Sequence, residues 1–187
     1  MSDIVIDADI MRSAGTSDHP HSSNARMVLE AIRNHGHRMV QCAPIREEHT
    51  RHQSRFAYTW RAEMVSRRQW VHWQYMEDAE LRKTLVAALP ETASTNKELA
   101  VQKDAHLLEA AAATDKRIVS KDATARNLFR LACPNLGVHK SIQWGDLTGA
   151  PAKVIQWIEG GCSERNDFRL CPQTVRKAAK KSARKRP

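Results

Sequence analysis

Asp7, Glu48, Asp104 and Asp122 are the residues whose types and settings point most directly to chemistry. Asp7 closes the apolar run Ile4-Val5-Ile6, and an acid ending a buried strand is costly without a partner. Asp122 follows a second such run, Arg117-Ile118-Val119-Ser120, by two residues. Each acid also has an ordinary structural use: an Asp after a strand caps a helix, and an Asp in a first turn serves the helix dipole. Brought together, the four carboxylates would repel one another and stay ionised only beside a cation. Carboxylate oxygens favour hard ions, so Mg²⁺ or Mn²⁺ is the expected cofactor. Such an ion acidifies a water it binds, and a second ion about 3.5–4 Å away stabilises the leaving oxygen of a phosphodiester. This chemistry needs no nucleophilic side chain, and the chain has no G-x-S-x-G or Cys/His arrangement.

The elements that must position these acids alternate. Asp3–Ile6 reads as a buried parallel strand delivering Asp7-Ala8-Asp9 to its carboxyl edge. After a Gly/Ser/Asp/His-rich loop, Asn24 is placed to cap a helix over Ala25–Asn34, and Gly36 ends it. Met39–Ala43 reads as a second strand, and Pro44 opens a helix carrying Glu47 and Glu48. Helices follow over Glu77–Leu89 and through Lys103–Ala113, with Asp104 at the start of the second. Arg117–Ser120 is the third strand, Ala123–Ala132 a helix, Ser141–Trp144 the fourth strand and Pro151–Glu159 the last helix. This alternation predicts an α/β fold with a mostly parallel sheet covered on both faces. Ligands of such sheets bind outside the carboxyl ends of the strands, so all four acids are expected at one edge.

The net charge of +9 is concentrated at one end. Residues 174–187, TVRKAAKKSARKRP, hold seven of the 30 Lys and Arg and no acid, leaving 23 basic against 21 acidic residues elsewhere. Such a segment is expected to be flexible when alone and to raise affinity for a polyanion without reading sequence. Between Arg46 and Arg68, six arginines interleave with Phe56, Tyr58 and Trp60, and Trp70, Trp73 and Tyr75 follow. That pattern suits single-stranded nucleic acid and a helical core with snorkelling arginines equally well. Cys42, Cys133, Cys162 and Cys171 form no C-x-x-C pair and are expected to be reduced structural thiols. The pairs His19/His21 and His35/His37 lack a partner motif for zinc, and His19 and His21 read as turn residues. No apolar run approaches the ~20 residues of a membrane span, so a cytoplasmic chain is expected.

The segments IVIDADI, APIREEHTRH, KDAHLLEAAA and RIVSKDATARNLF, in that order over about Asp3 to Trp144, resemble the PIN-domain family of metal-dependent nucleases. The resemblance implies a three-layer α/β/α sandwich with a mostly parallel central sheet, as a nuclease domain over residues 1–161 with a basic tail over 162–187. It implies Asp7, Glu48, Asp104 and Asp122 as the catalytic, metal-holding residues and Ser120 as a supporting hydroxyl. Asp9 stands where the family often has Asn, and would add a ligand or an outer hydrogen bond. Glu47 is the alternative to Glu48, which is favoured because His49-Thr50-Arg51-His52 resembles the basic continuation of one branch of the family. The stretch from Glu48 to Asp104 is longer than in compact toxin-type members, so a toxin–antitoxin role does not follow. The implied activity is phosphodiester hydrolysis, with single-stranded RNA favoured over DNA by the resemblance alone. Arg51, Arg55, Lys121 and Arg126, with Arg176, Lys177, Lys180 and Lys181 of the tail, are the expected nucleic-acid contacts. A neutralising protein partner is expected of such a nuclease, and a homo-oligomer is left open.

Two other readings compete. Asp7-Ala8-Asp9 also matches the nucleophile motif of haloacid-dehalogenase-type phosphatases, but Ile10 follows it, and Ala150 stands where the second acid after Gly145-Asp146 is needed. A non-catalytic binding module on the same fold is the third reading, since fold does not guarantee chemistry.

Overall fold

Five short strands form one sheet in the computed structural model, which describes residues 1–173. They are β1 (Asp3–Ile6), β2 (Arg38–Gln41), β3 (Trp70–His72), β4 (Arg117–Ser120) and β5 (Gln143–Asp146). Every neighbouring pair is parallel, in the order β3-β2-β1-β4-β5. Parallel neighbours require crossovers, and the crossover helices cover both faces to give a three-layer α/β/α sandwich. The helices are α1 (Ala8–Ser13), α2 (Pro20–Asn34), α3 (Ala43–His52), α4 (Arg55–Ser66), α5 (Ala79–Ala87), α6 (Thr95–Ala112), α7 (Ala123–Leu131) and α8 (Pro151–Glu159).

Side chains alternate across the sheet with the period of a strand. Ile4, Ile6, Met39 and Val119 enter one core layer with Ile10, Leu29, Trp60 and Trp157 from α1, α2, α4 and α8. Val5, Val40 and Ile118 enter the other with Leu85, Leu108 and Phe129 from α5, α6 and α7. Gly145 lies where α8 packs closely on the sheet. A Cβ there would meet Val154 Cγ1 at 2.9 Å and Val119 Cγ1 at 3.0 Å, so only glycine lets α8 pack this tightly.

Several expectations shift. The sheet has a fifth strand, β3, whose three residues are exposed or half-buried and carry no apolar run to announce them. Helix α1 begins directly after Asp7, and α2 begins at Pro20, so His19 is a helix cap rather than a turn residue and His21 is helical. A 3-10 helix over Gly137–Ser141 delays the last strand, which starts at Gln143 rather than Ser141. Helix α6 starts at Thr95, which places Asp104 in its middle rather than at its start.

Packing against the core continues past residue 161. Cys162, Phe168 and Leu170 are buried, Phe168 stacks on Trp157 at 4.7 Å, and Arg169 bridges antiparallel to Gln143. Apolar residues at 168 and 170 are what bind this segment to the core. Cys133 and Cys171 are joined in a disulfide, against the expectation of reduced thiols, because β5 and α7 bring these residues side by side from 38 positions apart. Cys42 and Cys162 are free and buried. No described helix is long and apolar enough to cross a membrane. The expected contacts Arg176, Lys177, Lys180 and Lys181 lie outside the described residues.

Candidate functional site

The carboxyl ends of β1 and β4 are adjacent, since Val5 and Ile6 pair with Ile118 and Val119. Asp7 and Ser120 therefore meet: the Ser120 hydroxyl donates to Asp7 Oδ2 at 2.5 Å. The same hydroxyl accepts the Asp122 N–H at 2.8 Å, which fixes the turn after β4. Asp7 accepts from the Asp9 N–H at 3.2 Å and Asp122 from the Ala125 N–H at 2.8 Å, so each also caps the helix it opens. Both Asp7 oxygens thus accept a hydrogen bond, Oδ2 from Ser120 and Oδ1 from the Asp9 N–H, whereas Asp122 uses only Oδ1.

Helix α3 is brought to the same edge by His49, which the sequence offered only as part of the stretch after Glu48. His49 is buried on α3, and its Nε2 lies 2.7 Å from the Ile6 carbonyl, the last of β1, while Gln41 Nε2 lies 3.3 Å from its Nδ1. The carbonyl must accept, so Nε2 carries the proton and Nδ1 accepts from the amide, which is a neutral imidazole. Burial, against the hydrogen bond to Ile6, lowers the His49 pKa to about 4. This clamp sets α3 beside β1 and so sets Glu48 beside Asp7.

A recess of about 110 Å³ results, lined by Asp7, Asp9, Glu48, Asp104 and Asp122 together with Ala8, Arg12, His52 and Lys103. The choice between adjacent glutamates falls to Glu48. Glu47 is on the other side of α3, paired with Arg51. Lys103 reaches over the acids, with Nζ 3.3 Å from Glu48 Oε1 and 3.9 Å from Asp104 Oδ1. His106, buried one turn along α6, brings Nε2 to 3.5 Å from Glu48 Oε2, an ion-pair distance without a well-formed hydrogen bond. Lys103 and His106 are three apart on one helix face, which is the only sequence signal that would have found them. Arg12 pairs with Asp9 at 2.6 Å at the rim.

Burial raises the Asp7 carboxyl to about 6 against the Ser120 hydrogen bond, with Asp9 and Asp122 pushing the same way. Burial likewise lifts Asp104 to about 6, Lys103 opposes the rise, and Asp7 and Glu48 add to it. Glu48 goes the other way. Burial alone would raise it, but His106 and Lys103 more than offset this and hold it at about 2. Two carboxylates are thus held against ionisation, mainly by burial and further by neighbouring acids, a penalty that a cation relieves.

No family model, no curated protein and no solved structure matches this chain. The site has therefore to be judged on its own chemistry. Its donors are hard carboxylate oxygens, the set that suits Mg²⁺ or Mn²⁺. Among the described residues, no three His, Cys, Asp or Glu side chains are already gathered into a ligand shell. Lys103 is within ion-pair distance of two of the acids and acts as their counter-charge.

The other expected contacts are spread around the molecule. Arg51 and Arg55 are exposed on α3 and at the start of α4. Lys121 Nζ donates to Ser13 Oγ at 2.8 Å, close behind Asp122. Arg126 is held by Asp146 at 3.1 Å and lines a separate cavity beside β5.

Proposed function

We propose that this chain is a PIN-type, divalent-metal-dependent nuclease that hydrolyses phosphodiester bonds, with single-stranded RNA as the favoured substrate. The observation that carries this reading is the convergence of Asp7, Asp9, Glu48, Asp104 and Asp122 on one recess at the carboxyl edge of a parallel sheet. Asp7, Asp104, Asp122 and Glu48 would hold Mg²⁺ or Mn²⁺, which when bound polarises a phosphoryl oxygen and acidifies a nearby water. Ser120 orients Asp7, and His49 holds α3 so that Glu48 faces it. Lys103, exposed at the mouth, can turn from Glu48 to a substrate phosphate and neutralise it. In the reaction a water oxygen joins phosphorus, the ester bond breaks, and the departing sugar oxygen takes up a proton.

A second reading, a non-catalytic binding module, is favoured by one feature: the Lys103 ammonium already lies among the acids and partly balances them. The phosphatase alternative needs a second acid pair beyond β5, where Asp146 is instead bound by Arg126 and Thr148.

Incubating the protein with end-labelled single-stranded RNA and DNA, in Mn²⁺, in Mg²⁺ and in EDTA, tests the proposal. Cleavage that requires metal and falls at least a hundredfold in Asp104→Asn is the expected outcome. No cleavage with either metal, from a protein that still binds the strand, would give the field to the binding module.

A further inference from the structure

On the far side of α3 from the acids lies a second, larger cavity of about 320 Å³, between α3, α4 and the sheet edge. Its polar wall is made by Arg46, Arg61, Thr50 and Gln41, and its rim by Trp70 and His72 of β3. The two guanidinium groups enter it without an acidic partner among the described residues. The Arg61 contact is a 3.4 Å approach of Nη1 to Thr50 Oγ1. Burial, and the charge of Arg46 beside it, lower the pKa of Arg61. Two like charges facing one space with nothing of opposite sign are a standing cost, which a bound anion removes.

The anion has a recognisable shape. Trp70 is 39% exposed and Val65 46% exposed among the lining residues, so an apolar surface stands beside the paired cations. A phosphate joined to a flat ring fits both halves: guanidinium forks suit phosphate oxygens, and indole suits a base. The cavity does not end at Arg46. A more open groove shares Arg46 and Thr50 and continues past Glu47 to Arg51; these two pair with each other, so Arg46 is the free cation of that outer face of α3 among the described residues. Glu48 and His52, on the opposite face of that helix, line the acid recess. One α-helix, about 10–12 Å across with its side chains, separates the two places, a span of a few nucleotides.

We infer that the cavity lined by Arg46, Arg61 and Trp70 is an anchor for one nucleotide of a single-stranded polynucleotide, phosphate on the arginines and base on the indole. The strand then crosses α3 to reach the acid recess. The inference extends the nuclease reading, but it is measured by binding alone.

The test uses the full chain and a labelled single-stranded RNA of about 12 nucleotides, followed by fluorescence anisotropy in EDTA over a series of salt concentrations. Arg46 is exposed on α3, so Arg46→Ala should keep the fold, checked by its thermal melt. Arg46→Ala and Trp70→Leu are each expected to weaken binding about tenfold. Only the arginine variant should also flatten the salt dependence, by about one unit of slope. Affinities within twofold of wild type in both variants would overturn the anchor. So would a mononucleotide that binds as tightly as the strand, which would make the cavity a free-nucleotide site. Binding through Arg46 without any cleavage in Mg²⁺ or Mn²⁺ would keep the anchor and remove the nuclease. Cleavage with unaltered binding in Arg46→Ala would do the reverse.

Discussion

Asp104 is held in the folded chain at about 6, against 3.8 for an unperturbed carboxyl, mainly by burial. A carboxyl raised in this way supports the fold fully only below its unfolded value, and that support is lost as pH rises through about 6. Above that, an ionised Asp104 sits near Asp7 and Glu48 and destabilises the protein. Asp104→Asn removes the charge and keeps the shape. In EDTA at about pH 8 the variant should be more stable than wild type by about 1–2 kcal/mol, discounted for the partly open site. That is a rise in Tm of about 2–4 °C per kcal/mol for a chain of this size, shrinking to nothing near pH 4. An equal or lower Tm at the higher pH would mean that the acids do not strain one another. At this scale the sequence was a good guide to Asp7, Asp122 and Glu48, because each adjoins a strand end or a helix opening that reads clearly. Lys103, His49 and His106 could not be found so. Their roles depend on a neighbour from another element, and beyond the i, i+3 spacing of Lys103 and His106 the sequence has no signal for that neighbour.

Among the elements, α6 has the most to align, since it carries Lys103, Asp104 and His106 together. It is tied to the segment before α5 by Glu109, which is buried and accepts from Tyr75 Oη at 2.9 Å, the Asp78 N–H at 3.0 Å and Arg82 Nε at 2.9 Å. The Asp78 side chain in turn caps α5 through the Leu81 N–H at 2.9 Å. Glu109→Ala would leave a half-buried guanidinium, a hydroxyl and an amide without their acceptor. The expected loss is about 3–5 kcal/mol, read as a lower urea midpoint, because one partner of a buried pair is removed. A loss under about 1 kcal/mol would show that α5 packs by its apolar face alone. The sequence places helices at both positions, since they are rich in strong helix formers, but begins α6 eight residues late. The Glu91–Asn96 segment reads as a loop, and nothing before Lys103 has a clear apolar period. The Arg-rich aromatic stretch divides in the same way. Trp60 is core, its Nε1 donating to the Leu29 carbonyl at 2.6 Å, whereas Tyr58 is 60% exposed and Trp70 is on the edge strand. The core reading of that stretch therefore holds for Trp60, while Tyr58 and Trp70 keep an exposed face.

For the whole molecule, the bond between Cys133 and Cys171 closes the segment after α8 back onto α7. Arg130 Nε also donates to the Leu170 carbonyl there at 3.0 Å, and Trp144 N–H to the Phe168 carbonyl at 2.6 Å. This strap joins residues 168–171 to the strand at the edge of the sheet. Closing a loop of 38 residues is expected to stabilise by about 2–4 kcal/mol. Cys133→Ser with Cys171→Ser should therefore melt lower than the oxidised wild type and match the wild type reduced with dithiothreitol. An unchanged melt on reduction would mean that Phe168 and Leu170 hold the strap without the bond. Such bonds persist best in oxidising surroundings, which sits poorly with the reduced thiols expected from the scattered spacing.

The sequence by itself determined the strands β1 and β4, the helix α8, the parallel α/β class and the meeting of Asp7, Glu48 and Asp122 at one edge, whereas Asp104 arrives there from the middle of α6. The features so determined follow from local apolar period and from the rule that parallel strands share a carboxyl end. Only the tertiary structure decided what surrounds the acids: the His49 clamp, the Lys103 counter-charge, the cationic cavity behind α3 and the Cys133–Cys171 strap. Those depend on which residues far apart in the chain come within a few ångströms of each other. Local periodicity sets the direction of a side chain from its own backbone, and has no term for what the chain brings to face it.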